Sequence, residues 1–439
     1  MLSAFKNVLR IHELRRRLLF TVGLLVVFRL GCHVPTPGID GEALSQFFEQ
    51  AKGTLFGLAD LFTGGALRQL AVFGLGIMPY ISASIIFQLL TAVVPALEQL
   101  AKEGEAGRRK IQQYTRYSTV LICIFQAFMI SKWLENPDSF GGAVIVLSPG
   151  WHFRIMTIIT LTAGTIFVMW LGEQITDHGI GNGISLIITA NIISRMPVAF
   201  LKALELLRLG QIKPFMAIFL GAVAVVMTAG VVILTQAQRR IPVQHAKRIV
   251  GRKVYSQQSS YIPLRVNHAG MIPVIFAASI LMFPATLTQF SNSEFLQNIG
   301  ALLNPGTFLY NALYVILIVG FCYFYTAMTF NPVTIADNMK KYGSFIPGIR
   351  PGKSTSDYFY RIMNRITIAG AIGLAFIAII PTLISSGFRI DPLVASFCGG
   401  TGTIIVVGVV LDTVRQVESQ LLMRHYDGFM KKGKIRGRR

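Results

Sequence analysis

Long apolar segments alternate with shorter polar ones along almost the whole chain. A helix needs about 20 mostly apolar residues to cross the hydrocarbon core of a bilayer. Applied to this sequence, that length predicts ten membrane-spanning helices, of which the fifth is interrupted by Asn191 and Arg195. The ten predicted spans are Leu18 to Val34, Val72 to Val94, Tyr117 to Leu134, Trp151 to Leu171, Ile184 to Phe200, Phe215 to Ala237, Ala269 to Thr288, Thr307 to Phe330, Ile362 to Ile384 and Val394 to Thr413.

The basic residues are unevenly distributed over the connections between these spans. The two termini and the connections on their side of the membrane hold 30 Lys and Arg residues, whereas the opposite connections hold six. Connections rich in Lys and Arg stay in the cytoplasm. The connection between spans four and five carries Glu173 and Asp177 and no basic residue, but acidic residues contribute little to this rule. We therefore predict a multi-pass protein with both termini in the cytoplasm.

Spans two and seven share the pattern G-x-x-P-x-I-x-A. Because the offset of five spans is odd, the two copies insert in opposite directions, as in channels and transporters whose working site lies between inverted repeats. A common preference of packed helices for Gly, Ala and Pro is the alternative explanation. The repeat predicts an all-α membrane protein of two inverted five-helix halves, residues 1–213 and 214–439. The matching residues are Gly76, Pro79, Ile81 and Ala83, and then Gly270, Pro273, Ile275 and Ala277.

A long connection between the first two spans contains a short apolar run, Leu55 to Phe62, followed by Thr63, Gly64 and Gly65. Eight residues are too few to cross a bilayer. The run is therefore either a helix at the membrane interface or a re-entrant helix inside a protein-lined cavity. The sequence pattern alone leaves both interpretations open.

Composition agrees with a membrane protein. The chain is 53% hydrophobic and 14% charged, whereas soluble domains contain about a quarter charged residues. The net charge of +21 would suggest nucleic-acid binding in a soluble protein, but here the basic residues lie between apolar segments. The four cysteines lie in or beside those segments without a CxxC pair, which predicts reduced packing residues.

The predicted spans contain few ionisable side chains and no catalytic motif. Their middles contain no Asp, Glu or His, on which ion-coupled transporters and proton pumps usually depend. The hydrolase motifs HExxH and GxSxG are also absent from the sequence. The stretch Gly348 to Thr355 resembles a phosphate-binding loop, but three residues rather than four separate its glycines. We therefore predict no enzymatic activity, cofactor or metal, and a partner that supplies the energy for transport.

Seven strings along the chain resemble bacterial members of the SecY family, and several of them exceed ten residues. The resemblance runs through nearly the whole chain, and the length of these strings makes it specific. The strings are GGALRQLAVFGLGIMPYISASIIFQLL, KEGEAGRRKIQQYTRY, WLGEQITDHGIGNGIS, GRKVYSQQSSYIPLRVN, FPAT, FYTAMTFNP and ADNMKKYGSFIPGIRPG.

The resemblance implies an hourglass-shaped channel with an external plug, an apolar ring at its waist and a lateral gate towards lipid. It makes the re-entrant interpretation of residues 55–69, the plug segment, the better one. The implied plug residues are Leu55, Phe56, Leu58, Leu61, Phe62, Gly64 and Gly65. The implied ring residues are Ile77, Ile81, Ile188, Ile192, Ile275 and Ile405. The implied gate has Ser82, Ile85 and Gln88 on span two and Ile280 and Phe283 on span seven.

The resemblance also assigns a docking surface to the basic cytoplasmic connections 6–7 and 8–9. A role in setting topology and in touching anionic lipid is the simpler explanation, and both roles can coexist. His245 and His268 depart from the family pattern, which puts detailed contacts at the base of span seven in doubt. The implied docking residues are Arg239, Arg240, Lys247, Arg248, Arg252, Lys253 and Arg350.

The resulting prediction is a passive, gated channel in the bacterial inner membrane. It passes unfolded preproteins across the membrane and releases membrane segments sideways into lipid. The implied partners are SecE, SecG, the SecA motor ATPase or a translating ribosome, the signal sequences of preproteins and anionic lipids. An inverted-repeat solute permease is the alternative, and an RNA-binding membrane anchor is a third possibility.

Overall fold

The computed structural model describes residues 11–50, 60, 62–140, 144–245, 249–250, 253–254, 259–289, 300, 302, 304, 306–388, 390–397 and 399–432. Its helices are α1 His12–Gly31, α2 Gly41–Gln50, α3 Met78–Val93, α4 Pro95–Lys102, α5 Glu105–Leu134, α6 Trp151–His178, α7 Gly183–Arg208, α8 Pro214–Gln236, α9 Ile272–Gln289, α10 Phe308–Thr329, α11 Pro332–Lys341, α12 Lys353–Phe388, α13 Pro392–Phe397 and α14 Gly400–Lys432. Its strands are β1 Gln238–His245, β2 Ile249–Val250, β3 Lys253–Val254, β4 Ser259–Arg265 and β5 Ser344–Phe345.

Each of the ten predicted spans coincides with a helix. Seven helical segments of the described chain are long and apolar enough to cross a membrane, and the bent pair α3–α4 makes an eighth. The remaining two predicted spans correspond to α1, which has 20 residues, and to α9, whose apolar part is Ile272–Met282. This helical content is consistent with the prediction of ten spans.

The second predicted span begins later and ends more sharply than its apolar run indicates. Residues before Met78 form turns, because Gly76 takes a φ of +55°, a left-handed conformation that favours glycine. At the other end α3 and α4 meet at an angle of 98°. Pro95 stands at the break, and proline disfavours helical geometry in the residue before it.

Gly270 repeats the backbone conformation of Gly76 at the start of α9. Its φ is +66°, and α9 begins two residues later, at Ile272, as α3 begins two residues after Gly76. The proline of the shared pattern is the second residue of each helix, where its missing N–H costs no helical hydrogen bond. The two copies of the pattern therefore fold alike locally.

One compact unit contains Met1–Leu209, Ala285–Gln297 and Ile405–Arg439. Within it α5 packs on α3 and α6, and α6 packs on α1 and α7. In the same unit Phe47 on α2 contacts Trp133 and Phe140, with ring centroids 5.6 and 4.8 Å from that of Phe47.

The other unit contains Gly210–Pro284 and Asn298–Ile404. Here α12 packs on α8, α10, α11 and α13. Connection 6–7 is not an irregular loop: β1 and β4 form an antiparallel hairpin with seven paired positions, and β5 of connection 8–9 adds to it in the order β4-β1-β5. Ile241, Val243 and Leu264 of this sheet pack on Phe359 and Met363 of α12. The sequence analysis did not predict these strands.

Candidate functional site

Asp60 lies inside the plug segment and is almost fully buried, with 4% of its surface exposed. Its Oδ2 forms an ion pair with Nη2 of Arg195 on α7. The same Nη2 donates to the carbonyl oxygen of Asp60 at 3.4 Å, and Oδ1 of Asp60 accepts from the backbone N–H of Arg68 at 3.2 Å. The carboxylate therefore joins the two ends of a short loop to one helix.

Two further side chains hold the carbonyl groups that follow Asp60. Nδ2 of Asn191 donates to the carbonyl oxygen of Phe62 at 2.8 Å, and Nη1 of Arg29 donates to that of Gly64 at 3.2 Å. Gly64 has a φ of +66°, and a Cβ there would stand 2.5 Å from Oδ1 of Asn191. Only glycine accommodates both this conformation and this close approach.

The far end of the segment is fixed by main-chain contacts. The Thr36 N–H donates to the carbonyl oxygen of Leu70 at 3.0 Å, and the Val72 N–H donates to that of Val34 at 2.8 Å. Helix α6 presses closely on the same region, since a Cβ on Gly164 would lie 2.0 Å from the carbonyl oxygen of Val72.

The plug prediction falls only partly on described residues. Leu55, Phe56, Leu58 and Leu61 lie outside them. Of the rest, Phe62 is buried and helical, and Gly64 and Gly65 form a turn with positive φ. The re-entrant plug therefore stays a prediction.

All six predicted ring isoleucines are buried, with exposed fractions between 0% and 7%. Ile77 caps the start of α3, and the N–H of Ile81 donates to its carbonyl oxygen at 3.1 Å, so the pair lies one turn apart. Ile188 and Ile192 lie one turn apart on α7, Ile275 lies on α9 and Ile405 on α14. The structure confirms the helical spacing of both pairs, and the ring itself stays a prediction.

The predicted gate residues lie on α3 and α9. Ile85 is buried, whereas Ser82, Gln88 and Ile280 are partly exposed; the side chain of Phe283 lies outside the described residues. Nε2 of Gln88 donates to the Ser84 hydroxyl of its own helix at 3.2 Å. This bond satisfies one donor of a polar side chain within a single span.

The predicted docking residues of connection 6–7 are on or near the sheet. Arg239 and Arg240 are exposed on β1, and the guanidinium carbon of Arg240 lies 4.9 Å from the ring centroid of Tyr261 on β4. Arg350 is exposed just before α12. Lys253 belongs to β3, and Lys247, Arg248 and Arg252 lie outside the described residues.

Two titratable groups near the ends of spans have shifted pKa values. Burial raises the pKa of Glu135, but hydrogen bonds from Arg154 and from the Gly150 N–H, together with the Arg154 charge, outweigh it and lower this pKa. Burial, and secondarily the charge of Arg265, lowers the pKa of His268. His268 is therefore neutral at pH 7, and its ring packs edge-on against Phe330.

The sequence analysis missed the Asp60–Arg195 pair. A signal was present, because an arginine inside a predicted span is costly in lipid and implies a buried partner. The partner could not be identified from the sequence, since Asp60 precedes Arg195 by 135 positions. Across the described residues, no three or more His, Cys, Asp and Glu side chains are grouped to hold a metal ion.

The SecY family model matches residues 71–414 of the chain. The protein translocase subunit SecY of Escherichia coli strain K12 is 45% identical over 429 residues, which cover 97% of this chain and 96% of that protein. Two solved structures are similar to this chain, and each match covers 92% of this chain and 92% of the other. One is a SecY channel whose plug domain stabilises the closed state, with a TM-score of 0.64 and 21% identity. The other is Sec61 in the canine ribosome-channel complex, with a TM-score of 0.60 and 18% identity. Both solved structures show the same fold, and the family match together with the 45% identity to the Escherichia coli subunit establishes that this chain belongs to the SecY family.

Proposed function

We propose that the chain is the pore subunit of a Sec-type channel that passes unfolded preproteins across the inner membrane and releases membrane segments into lipid. The observation that carries this proposal is the SecY family match across residues 71–414, which includes the two G-x-x-P repeats and all four predicted spans that contain the six ring isoleucines. Residues 1–213 and 214–439 form its two halves.

The seal is an apolar ring of the six isoleucines. A narrow apolar constriction holds water poorly and blocks ions by dewetting. Isoleucine is stiff at χ1 because its side chain is β-branched, and it has no polar atom to bind a passing chain. A ring of such residues can therefore fit around different polypeptides without selecting their sequence. The plug segment closes the channel on the external side.

The gate consists of Ser82, Ile85 and Gln88 on α3 and of Ile280 and Phe283 on α9. Signal sequences are apolar helices that must pass from the channel into lipid. A gate with a few weak polar contacts among apolar ones opens without leaving strong hydrogen-bonding groups unpaired.

The energy for transport comes from outside the chain. The SecA motor or a translating ribosome binds the sheet and the segment around Arg350, where exposed Arg239 and Arg240 favour an acidic protein surface or ribosomal RNA. The canine Sec61 structure, a channel bound to a ribosome, supports this assignment. SecE and SecG are the membrane partners, and anionic lipids neutralise the basic cytoplasmic connections. The chain itself is not an enzyme.

The test is transport by vesicles that contain the purified chain with its membrane partners. With the motor and ATP added, an unfolded preprotein should become protected from external protease. The same vesicles should not accumulate small solutes. Solute uptake without preprotein protection would instead identify a permease.

A further inference from the structure

Arg195 is a charged residue in a predicted span, and its ion pair with Asp60 is shielded from solvent. The exposed side-chain fractions are 16% for Arg195 and 6% for Asp60. Burying two charges is costly even when they are paired, so such a pair contributes little net stability but becomes very unfavourable when one partner is removed. Ionisable residues at membrane depth are therefore functional candidates together with their partners.

We propose that Asp60, Arg195, Asn191 and Arg29 form a latch that holds the described part of the plug segment on α7 and α1 and sets how often the resting channel opens. The inference rests on the proposed function, since it assigns a positioning role to residues beside the predicted seal. Closure requires the latch bonds, and opening requires that the segment leave α7.

The latch lies next to the predicted ring on the same helix. Asn191 and Arg195 are one turn apart on α7, and each follows a predicted ring residue, Ile188 or Ile192, by three positions. Residues three apart lie on neighbouring parts of one helix face. The plug segment also approaches the residue before Ile77, another predicted ring residue. The Cγ2 atom of Thr63 lies 3.5 Å from where a Cβ on Gly76 would stand.

The bonds of the segment divide into two groups. Asp60 accepts from the Arg68 N–H, its carbonyl oxygen accepts from the Gly65 N–H at 3.1 Å, and Leu70 is fixed to Thr36. These bonds do not involve α7, so they maintain the shape of the loop and its attachment when the latch is broken. Among the described side-chain hydrogen bonds, those of Arg195 and Asn191 join the loop to α7, and that of Arg29 joins it to α1.

The experiment uses the full chain with its membrane partners in planar bilayers. The variants Asp60→Asn and Arg195→Gln each leave a buried group without its charged partner. Each should raise the resting ion conductance by at least about tenfold, because the latch favours the closed state. The charge exchange Asp60→Arg with Arg195→Asp should return the conductance towards that of the parent. A purely structural role would not produce this recovery in an open-probability measurement.

Glu135→Gln is the matched control. It breaks another ion pair of the same unit, in which Arg154 Nη2 lies 2.5 Å from Glu135 Oε2, and it does not touch the plug segment. It should leave the resting conductance unchanged. If a neutral variant does not assemble, Arg195→Lys keeps the charge and loses the planar guanidinium; it should raise conductance less than Arg195→Gln. Preprotein transport by the parent in the same preparation separates the two proposals. The latch proposal is wrong if the parent transports the preprotein but the assembled neutral variants have the same ion conductance as the parent. It is also wrong if the charge exchange does not lower the conductance of the neutral variants. If the parent itself does not transport the preprotein, the proposed function fails.

Discussion

Gln244 on β1 pairs with Phe345 on β5, and this contact joins residues of two different connections that are 101 positions apart in the chain. It places the basic strand of connection 6–7 and the segment leading to Arg350 in one sheet. A partner that binds both connections therefore meets one surface with a fixed arrangement.

The first prediction concerns this surface. We expect Arg350→Glu to reduce motor-driven preprotein transport severalfold while the channel still assembles, because a charge reversal at an exposed position costs the fold little. Lys340→Glu, an exposed reversal on neighbouring α11, is the control. Equal transport by the parent and a folded Arg350→Glu channel would refute the docking role of Arg350.

The second prediction concerns the ring. Replacing Ile81, Ile275 and Ile405 together by Ser should hydrate the constriction and raise ion leak in planar bilayers, most clearly when the plug segment is also deleted. The matched control replaces the exposed residues Ile86, Ile233 and Ile372 by Ser. The ring assignment fails if the triple variant, folded and without its plug segment, leaks no more than a parent lacking that segment.

The third prediction is the topology. Reporter domains fused after Gln257 or after Arg439 should be active only when the reporter works in the cytoplasm, because Lys and Arg are concentrated on that side. A fusion after Lys202, in one of the opposite connections that together hold only six Lys and Arg residues, should show the opposite activity. External activity at Gln257 or Arg439 would reverse the proposed orientation.

The fourth prediction tests the close approach of α6 to the turn before α3. We expect Gly164→Ala to lower the free energy of unfolding by about 1–3 kcal/mol, because its Cβ would collide with the Val72 carbonyl oxygen and the backbone must shift. Gly221→Ala on α8 has nothing within 4 Å of its new Cβ and should be neutral or slightly stabilising. Thermal unfolding in detergent measures both. Equal unfolding temperatures for Gly164→Ala and the parent would show that the space between Gly164 and the Val72 carbonyl oxygen admits a Cβ.

The fifth prediction follows from the lowered pKa of Glu135. A carboxylate whose pKa is lower in the folded state stabilises the fold above its unfolded pKa, and this contribution is lost as pH falls through the folded value. Glu135→Gln should therefore lower the Tm at neutral pH, and the difference from the parent should vanish on acidification below the ordinary glutamate range. Glu105→Gln removes an exposed pair with Arg109 and should have no effect at any pH. A Tm difference that grows on acidification would contradict this account.

The sequence predicted the membrane class, and its ten predicted spans are consistent with the observed helices, because apolar length is a local property. It also identified the G-x-x-P copies, whose glycines take similar positive φ values. It placed the start of α3 too early, since the mostly apolar stretch from Val72 to Ile77 forms turns and contains Gly76, which has a positive φ.

The rest depends on contacts between residues that are distant in the chain. The hairpin of β1 and β4 was not predicted because the alternation of apolar residues is short, with only Ile241 and Val243 on β1 and Ile262 and Leu264 on β4, and each strand contains a proline. The partner of Arg195 could not be found, since pairing Asp60 with it requires the plug segment to fold back onto α7. In both cases the tertiary structure, and not local preference, determines the arrangement.

The sheet has a mechanical consequence. β1 follows α8 after a single residue, β4 precedes α9, and β5 lies between α11 and α12. A hydrogen-bonded sheet packed on α12 resists shear better than two separate flexible loops would. A force that a partner applies to one strand is therefore transmitted to the several helices that adjoin the sheet, and the connections bend little.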